Sequence, residues 1–155
     1  MSRTPLGTLI RVPYFICPRC KTRRVDDDGY EGLTTQPPAC QKCGFAFTFQ
    51  LLEDYYPAQA TGFIVTDQDR RILATGEGVF ELTGYSEGDL LGRDVTEALA
   101  LSDGAAIETV REWGVRKLEQ HLSLRTRAGL EKKVKGDFFP AYDEDGGLLL
   151  GFTPA

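Results

Sequence analysis

The chain has little of the equipment that most chemistry requires. Its 155 residues include one histidine, one methionine and one tryptophan, and its cysteines end with the fourth, Cys43. With His121 as the sole imidazole, no Ser/His/Asp set is suggested, and no glycine loop of the phosphate-cradling type occurs. Carboxylates are plentiful, but they cluster at turns and helix caps, where structure accounts for them. Catalysis is not expected. No apolar run approaches membrane-spanning length, and Met1-Ser2-Arg3-Thr4-Pro5-Leu6-Gly7 opens without a signal-peptide core, so a soluble protein of a reducing cytoplasm is expected. Internal repeats and low-complexity tracts are lacking too. Cations are outnumbered, 18 Lys and Arg against 23 Asp and Glu, and the net charge of −5 argues against non-specific nucleic-acid binding by the whole molecule.

What is present is a pair of Cys-x-x-Cys motifs, Cys17-Pro18-Arg19-Cys20 and Cys40-Gln41-Lys42-Cys43, which use every cysteine. Two intervening residues let the backbone fold back so that both sulfurs of a pair reach one ion, and four thiolates close a tetrahedral shell. Such a shell has no open position for water or substrate, so it is structural in type. Two disulfides would be unusual in a reducing compartment, and a lone redox motif would not need a second pair. Zinc is the expected metal; iron suits the same donors.

The charge and motif distribution divides the chain unequally. Residues 1–52 hold all the cysteines, with seven Arg and Lys against four Asp and Glu, whereas from residue 57 onward there are 11 against 17. About 50 residues bury little apolar surface, and structural zinc supplies on the order of 10–16 kcal/mol to small fingers. Tyr14-Phe15-Ile16 leads into the first motif and Lys21–Val25 leaves it. After Cys43-Gly44, Phe45, Phe47, Phe49 and Leu51 alternate with Ala46, Thr48, Gln50 and Leu52, the period of a strand. Asp26-Asp27-Asp28-Gly29 reads as a solvated turn. Over residues 12–52 the two knuckles, the hairpin and the aromatic strand resemble a zinc ribbon, although Lys21 stands where a glycine is frequent. Arg19, Lys21, Arg23 and Arg24 form a dense basic cluster, expected either to be a solvated hairpin face, free or paired with Asp26–Asp28 or the acidic second domain, or to meet an acidic protein partner, with phosphate of a nucleic acid as the alternative.

Residues 53–61 read as a short junction, with a helical turn ending near Pro57. Beyond it the patterning predicts two strands, several short helices and three strands. Gly62–Thr66 and Arg71–Ala74 are the first strands. Val79, Phe80, Leu82 and Thr83 share a short helix ending at Gly84. Ser86 with Asp89 caps the next, which Gly92 stops, and Asp94 with Glu97 repeats the pattern. Ser102 or Asp103 then caps a longer helix on which Ile107, Val110, Gly114 and Leu118 share a face. His121–Arg127, Glu131–Tyr142 and Leu148–Thr153 are the closing strands. The expected fold class is α+β, a small β ribbon over residues 1–52 joined to a five-stranded antiparallel sheet with flanking helices over residues 62–155.

That order, with Gly84-Tyr85-Ser86-Glu87-Gly88-Asp89-Leu90-Leu91-Gly92, resembles a PAS domain. The likeness runs from about Gly62 to Phe152 and is best at Gly62–Asp67, Leu82–Gly92 and Asp143–Gly147. It implies a sheet and helices enclosing a small-molecule pocket, and a role in sensing, dimerisation or docking. It departs from the family at Gly76, where Asn often opens the first helix. Lacking a cysteine after Cys43, the chain is not suited to the cysteine–flavin adduct of the photochemical subfamily. Haem would want an axial ligand, and His121 falls on the polar side of its strand. Trp113 reads first as a core tryptophan; if the fold holds a ligand, a flavin or other planar molecule is the kind expected, with Phe80, Val110, Trp113 and Leu124 as its walls by analogy of fold. Because Thr153-Pro154-Ala155 ends the chain directly after the last strand, output is expected through the ribbon and junction to a protein partner or a second copy. The resulting expectation is a zinc-binding PAS regulatory protein, a sensor or adaptor; the alternative is a nucleic-acid-binding transcriptional regulator that uses the basic hairpin.

Overall fold

The sheet-forming patterns close into two antiparallel sheets in a computed structural model. The structure describes residues 14–25, 40, 42–45, 48–51, 55–140 and 147–155. The expectations for Asp26–Gly29, Phe47 and most of Asp143–Gly147 lie outside them.

The cysteine-bearing part is a three-stranded sheet in the order β2-β1-β3, formed by β1 (Tyr14–Ile16), β2 (Arg23–Val25) and β3 (Phe49–Leu51). The larger sheet contains β4 (Gly62–Thr66), β5 (Ile72–Thr75), β6 (Lys117–Arg125), β7 (Glu131–Pro140) and β8 (Leu148–Pro154), in the order β5-β4-β8-β7-β6. Between β5 and β6 run four helices, α1 (Val79–Thr83), α2 (Glu87–Leu90), α3 (Val95–Ala98) and α4 (Ala105–Trp113).

The helix limits follow from their end groups. Ser86 Oγ accepts from Asp89 N while Asp89 Oδ2 accepts from Ser86 N, a reciprocal capping box that also holds the Asp89 carboxyl below its usual range. Asp94 Oδ1 accepts from Thr96 N and Glu97 N at the start of α3. Gly114, at φ 67, ends α4, so Leu118 belongs to β6 and not to a continued helix face. Residues 55–58 are irregular and Tyr55 enters the core; the beginning of the turn expected before Pro57 lies outside the described residues.

The larger sheet is covered on both sides. On its inner face Ile64, Leu122, Leu124, Val134, Phe138, Leu148, Leu150 and Phe152 pack against the helices. On its outer face Phe63, Val65, Ala74, Phe139 and Leu149 share a second core with Ile16 and Phe49 of the small sheet and with Tyr55. All five residues of β4 are therefore buried, as expected of a strand sandwiched between two layers. Phe139 meets Tyr55 edge to face, with ring centroids 4.7 Å apart.

Candidate metal centre and its seat on the sheet

The two cysteine motifs fold into nearly the same turn. Cys17 N donates to Thr22 O and Lys21 N to Cys17 O, while Cys40 N donates to Phe45 O and Gly44 N to Cys40 O. In each turn an amide also points at a sulfur, Cys20 N at Cys17 Sγ and Cys43 N at Cys40 Sγ, both at 3.5 Å. The turns need a left-handed residue after the second cysteine, which Gly44 supplies at φ 81 and Lys21 at φ 65. Lys21 thus adopts the conformation that its position in the sequence left open.

All four Sγ atoms lie within 4.8 Å of one another, and all four cysteines are free thiols. Cys17 and Cys43 sulfurs are 3.5 Å apart, and those of Cys20 and Cys40 are 3.7 Å apart. A tetrahedral shell with metal–sulfur bonds of about 2.3 Å has sulfurs about 3.8 Å apart. The donor set and its dimensions fit a thiophilic metal ion, and no ligand position is left for solvent. Burial pushes the Cys17 thiol up. Burial opposes ionisation of Cys40 as well, but amides of Cys43 and Lys42 and the thiols of Cys20 and Cys17 bring it down to about 6. The surroundings of Cys40 thus favour its thiolate, and a thiolate is what a metal binds.

The first knuckle sits directly on the larger sheet's β5–α1 connection. Arg19 O accepts from Glu77 N at 2.8 Å, and the Arg19 guanidinium lies 3.5 Å from Glu87 Oε2 and over the Phe45 ring. Lys21 Nζ donates to Gln59 O, Thr61 O and Glu77 O, at 3.0, 2.8 and 3.4 Å. The Arg23 guanidinium stacks 3.9 Å above the Tyr56 ring. The backbone of Arg24 lies in β2, and its side chain is outside what the structure describes. Arg19, Lys21 and Arg23 thus have partners within the chain, and the Arg19–Glu87 contact is of the kind that pairing with the acidic second part of the chain would give. Gly76, the departure noted in the sequence, has a packing reason. A Cβ there would lie 1.9 Å from Pro18 O.

The expected pocket residues do not come together. Val110 and Leu124 are buried in the inner core, whereas Phe80 is 60% and Trp113 74% exposed. The five-residue α1 can bury one side, and Val79, Leu82 and Thr83 occupy it. Trp113 ends α4 beside its stop and is exposed, while Ile107 and Val110 are the buried residues of that helix. The inner face is occupied by its own rings. Phe138 lies over Gly136, where a Cβ would be 2.4 Å from its Cζ, and it meets Phe152 edge to face. Among the described residues, the buried polar side chains are Thr48, Thr61, Thr66, Thr83, Thr126 and Asp137, and each has a partner. A flavin has a polar edge that must be hydrogen-bonded when buried, and these residues do not fit it.

One charged cluster escaped the sequence analysis because cross-strand pairing creates it. Lys133 and Lys135 alternate with the buried Val134, and the register sets them opposite Ser123 and His121, with Arg125 opposite Glu131. They occupy the part of the outer face farthest along the β6–β7 hairpin from Phe139 and its aromatic neighbours. A search for a second strand-borne cluster at period two would have found it.

No protein-family model matches the sequence, and no curated protein matches it either. Solved structures do. The PAS domain of nitrogen regulation protein NR(II) from Vibrio parahaemolyticus superposes with a TM-score of 0.55 at 13% identity, covering 63% of this chain and 91% of that one. The PAS domain of a Colwellia psychrerythraea protein gives 0.54 at 20% identity, covering 62% and 86%. The light-state dimer of the fungal blue-light photoreceptor Vivid gives 0.53 at 18%, covering 65% and 82%. The larger sheet and its helices have the PAS fold. In this PAS fold the outer sheet face is not left open; the cysteine module covers it from β5 to the end of β7. At these identities the likeness is one of fold.

Proposed function

We propose that the chain is a zinc-binding regulatory protein of PAS fold, a signal sensor or protein-interaction adaptor without catalysis of its own, working in a reducing cytoplasm. The observation that carries it is the set of four free thiols at tetrahedral spacing, built into a module that shares a core with the PAS sheet. Zinc, held by Cys17, Cys20, Cys40 and Cys43, would supply cross-linking of a module too small to be stable from its own core. The solved structures of similar fold include the PAS domain of a nitrogen regulation protein and a blue-light photoreceptor, which supports a regulatory reading.

A protein partner or second copy is the reading for output. Arg19, Lys21 and Arg23, three of the four cations on which a nucleic-acid reading depends, have partners within the chain, which supports the protein reading. Lys133, Lys135 and Arg125 on the β6–β7 outer face are the cations better placed for an acidic protein partner. Elemental analysis and an absorption spectrum of the purified chain test the first claim. About one zinc per chain with no visible bands supports it; visible thiolate-to-iron bands would replace zinc by iron. Metal-free protein with the ribbon amides still protected would overturn it.

A further inference from the structure

We propose that the metal is also an input: occupancy of the four-sulfur site by a thiophilic divalent cation is reported to the helical side of the PAS fold through Lys21. This rests on the zinc-binding reading and goes beyond it, because a staple need not be coupled to anything outside its own module.

The argument begins with the unequal knuckles. The second turns on Gly44, which takes positive φ freely; the first places Lys21 at φ 65, where a side chain is unfavourable. That conformation is held by the closed knuckle, with Lys21 N on Cys17 O at 2.9 Å. What it gives is the position of the ammonium. Nζ lies among three carbonyls, two from the junction (Gln59, Thr61) and one from the turn before α1 (Glu77). An ammonium has three donors, and here each has its own acceptor.

The other residues of the knuckle meet the same segment. Pro18 O fills the space that a side chain at position 76 would need, and Arg19 O receives Glu77 N. The Arg19 guanidinium reaches Glu87 Oε2, which also accepts Thr75 N at 2.8 Å. Both residues between the ligands Cys17 and Cys20, and the one after them, therefore contact residues 75–78 or their partner in α2. Opening the knuckle frees Lys21 to leave the left-handed region, and its ammonium then leaves the carbonyls that tie the junction to the start of α1. Lys42, inside the second knuckle, is exposed and serves as an internal comparison. Two sites coupled in this way are coupled reciprocally.

Hydrogen exchange of the full chain, zinc-loaded and after chelation, tests the coupling in the wild type, Lys21→Gly and Lys42→Met. Lys21→Gly keeps a residue suited to the left-handed turn and removes the side chain together with its ammonium. Zinc content is measured first: a wild-type chain without metal defeats the zinc reading itself. In loaded protein, chelation is expected to speed exchange across residues 76–83 by about tenfold or more, within the range of ordinary coupling energies. Lys21→Gly should exchange there at the chelated rate while still holding one zinc, and Lys42→Met should match the wild type. The proposal is overturned if residues 76–83 stay protected when chelation opens residues 14–25, or if zinc-loaded Lys21→Gly protects them as the wild type does.

Discussion

The Tyr55 hydroxyl donates to Asp137 Oδ2 at 3.0 Å, joining the first part of the junction to the outer face of β7 across 82 positions of sequence. Asp137 Oδ1 takes Glu119 N at 2.8 Å in the bulge of β6, so one carboxylate holds the junction, the central sheet and an edge strand. Burial first, and then the Asp137 charge, push the tyrosine hydroxyl well above its usual range. Tyr55→Phe removes a donor from a buried carboxylate and should lower unfolding free energy in urea by about 1–3 kcal/mol. The pH profile gives a second readout. The folded chain holds this proton more tightly than the unfolded chain, so the contribution is complete below about pH 10 and declines as pH rises beyond it. The variant should lack that alkaline component.

Gly136 is under the Phe138 ring, and a methyl group there would require the ring to move. Gly136→Ala should destabilise by about 1–3 kcal/mol, the usual effect of overpacking. Combining it with Phe138→Leu should give less than the sum of the two single effects, because the smaller side chain vacates the contested space. Additive effects in equilibrium unfolding would show that the two positions do not compete.

Trp113 is the chain's one indole and is largely in water. Its fluorescence should peak at the wavelength of a solvated tryptophan and be quenched freely by acrylamide. Trp113→Phe should change stability by no more than about 0.5 kcal/mol. A blue-shifted, protected emission would mean that the end of α4 is covered.

The Ser86–Asp89 capping box predicts a further measurable effect. Ser86→Ala should cost about 1 kcal/mol in unfolding free energy. Ser86→Asp, which retains an acceptor for Asp89 N, should cost less. Thermal or urea unfolding of the pair distinguishes a capping role from a merely exposed serine.

Features set by neighbours in sequence were legible before the fold was. Ser86 with Asp89 and Asp94 with Glu97 depend on backbone groups a few residues away, and both appear where their spacing put them. The cysteine cluster was legible for the same reason, since each knuckle is a local turn. Leu118 was misplaced because helical period alone carries no information about where a helix ends. Phe80 was misplaced because a one-turn helix can present either side, and the sheet decides which. The basic cluster left several readings open for a related reason: a run of cations looks alike whether it faces solvent, an acidic neighbour or a row of carbonyls. One signal of the covered outer face was in the sequence. Gly62-Phe63-Ile64-Val65-Thr66 is apolar without alternation, unusual for an antiparallel strand with a wet side. It called for a second layer, and the cysteine module is that layer.

That second layer separates two kinds of boundary. By topology the PAS fold begins at Gly62, and a cut there would preserve every strand of its sheet. The fragment would nevertheless present Phe63, Val65, Phe139 and Leu149 as one continuous greasy surface, having lost Ile16, Phe49 and Tyr55 from it. Patches of this kind drive self-association. The cleanest seam in the sequence runs through the middle of a hydrophobic core, and a protease or a cloning primer that follows it would produce an adhesive half.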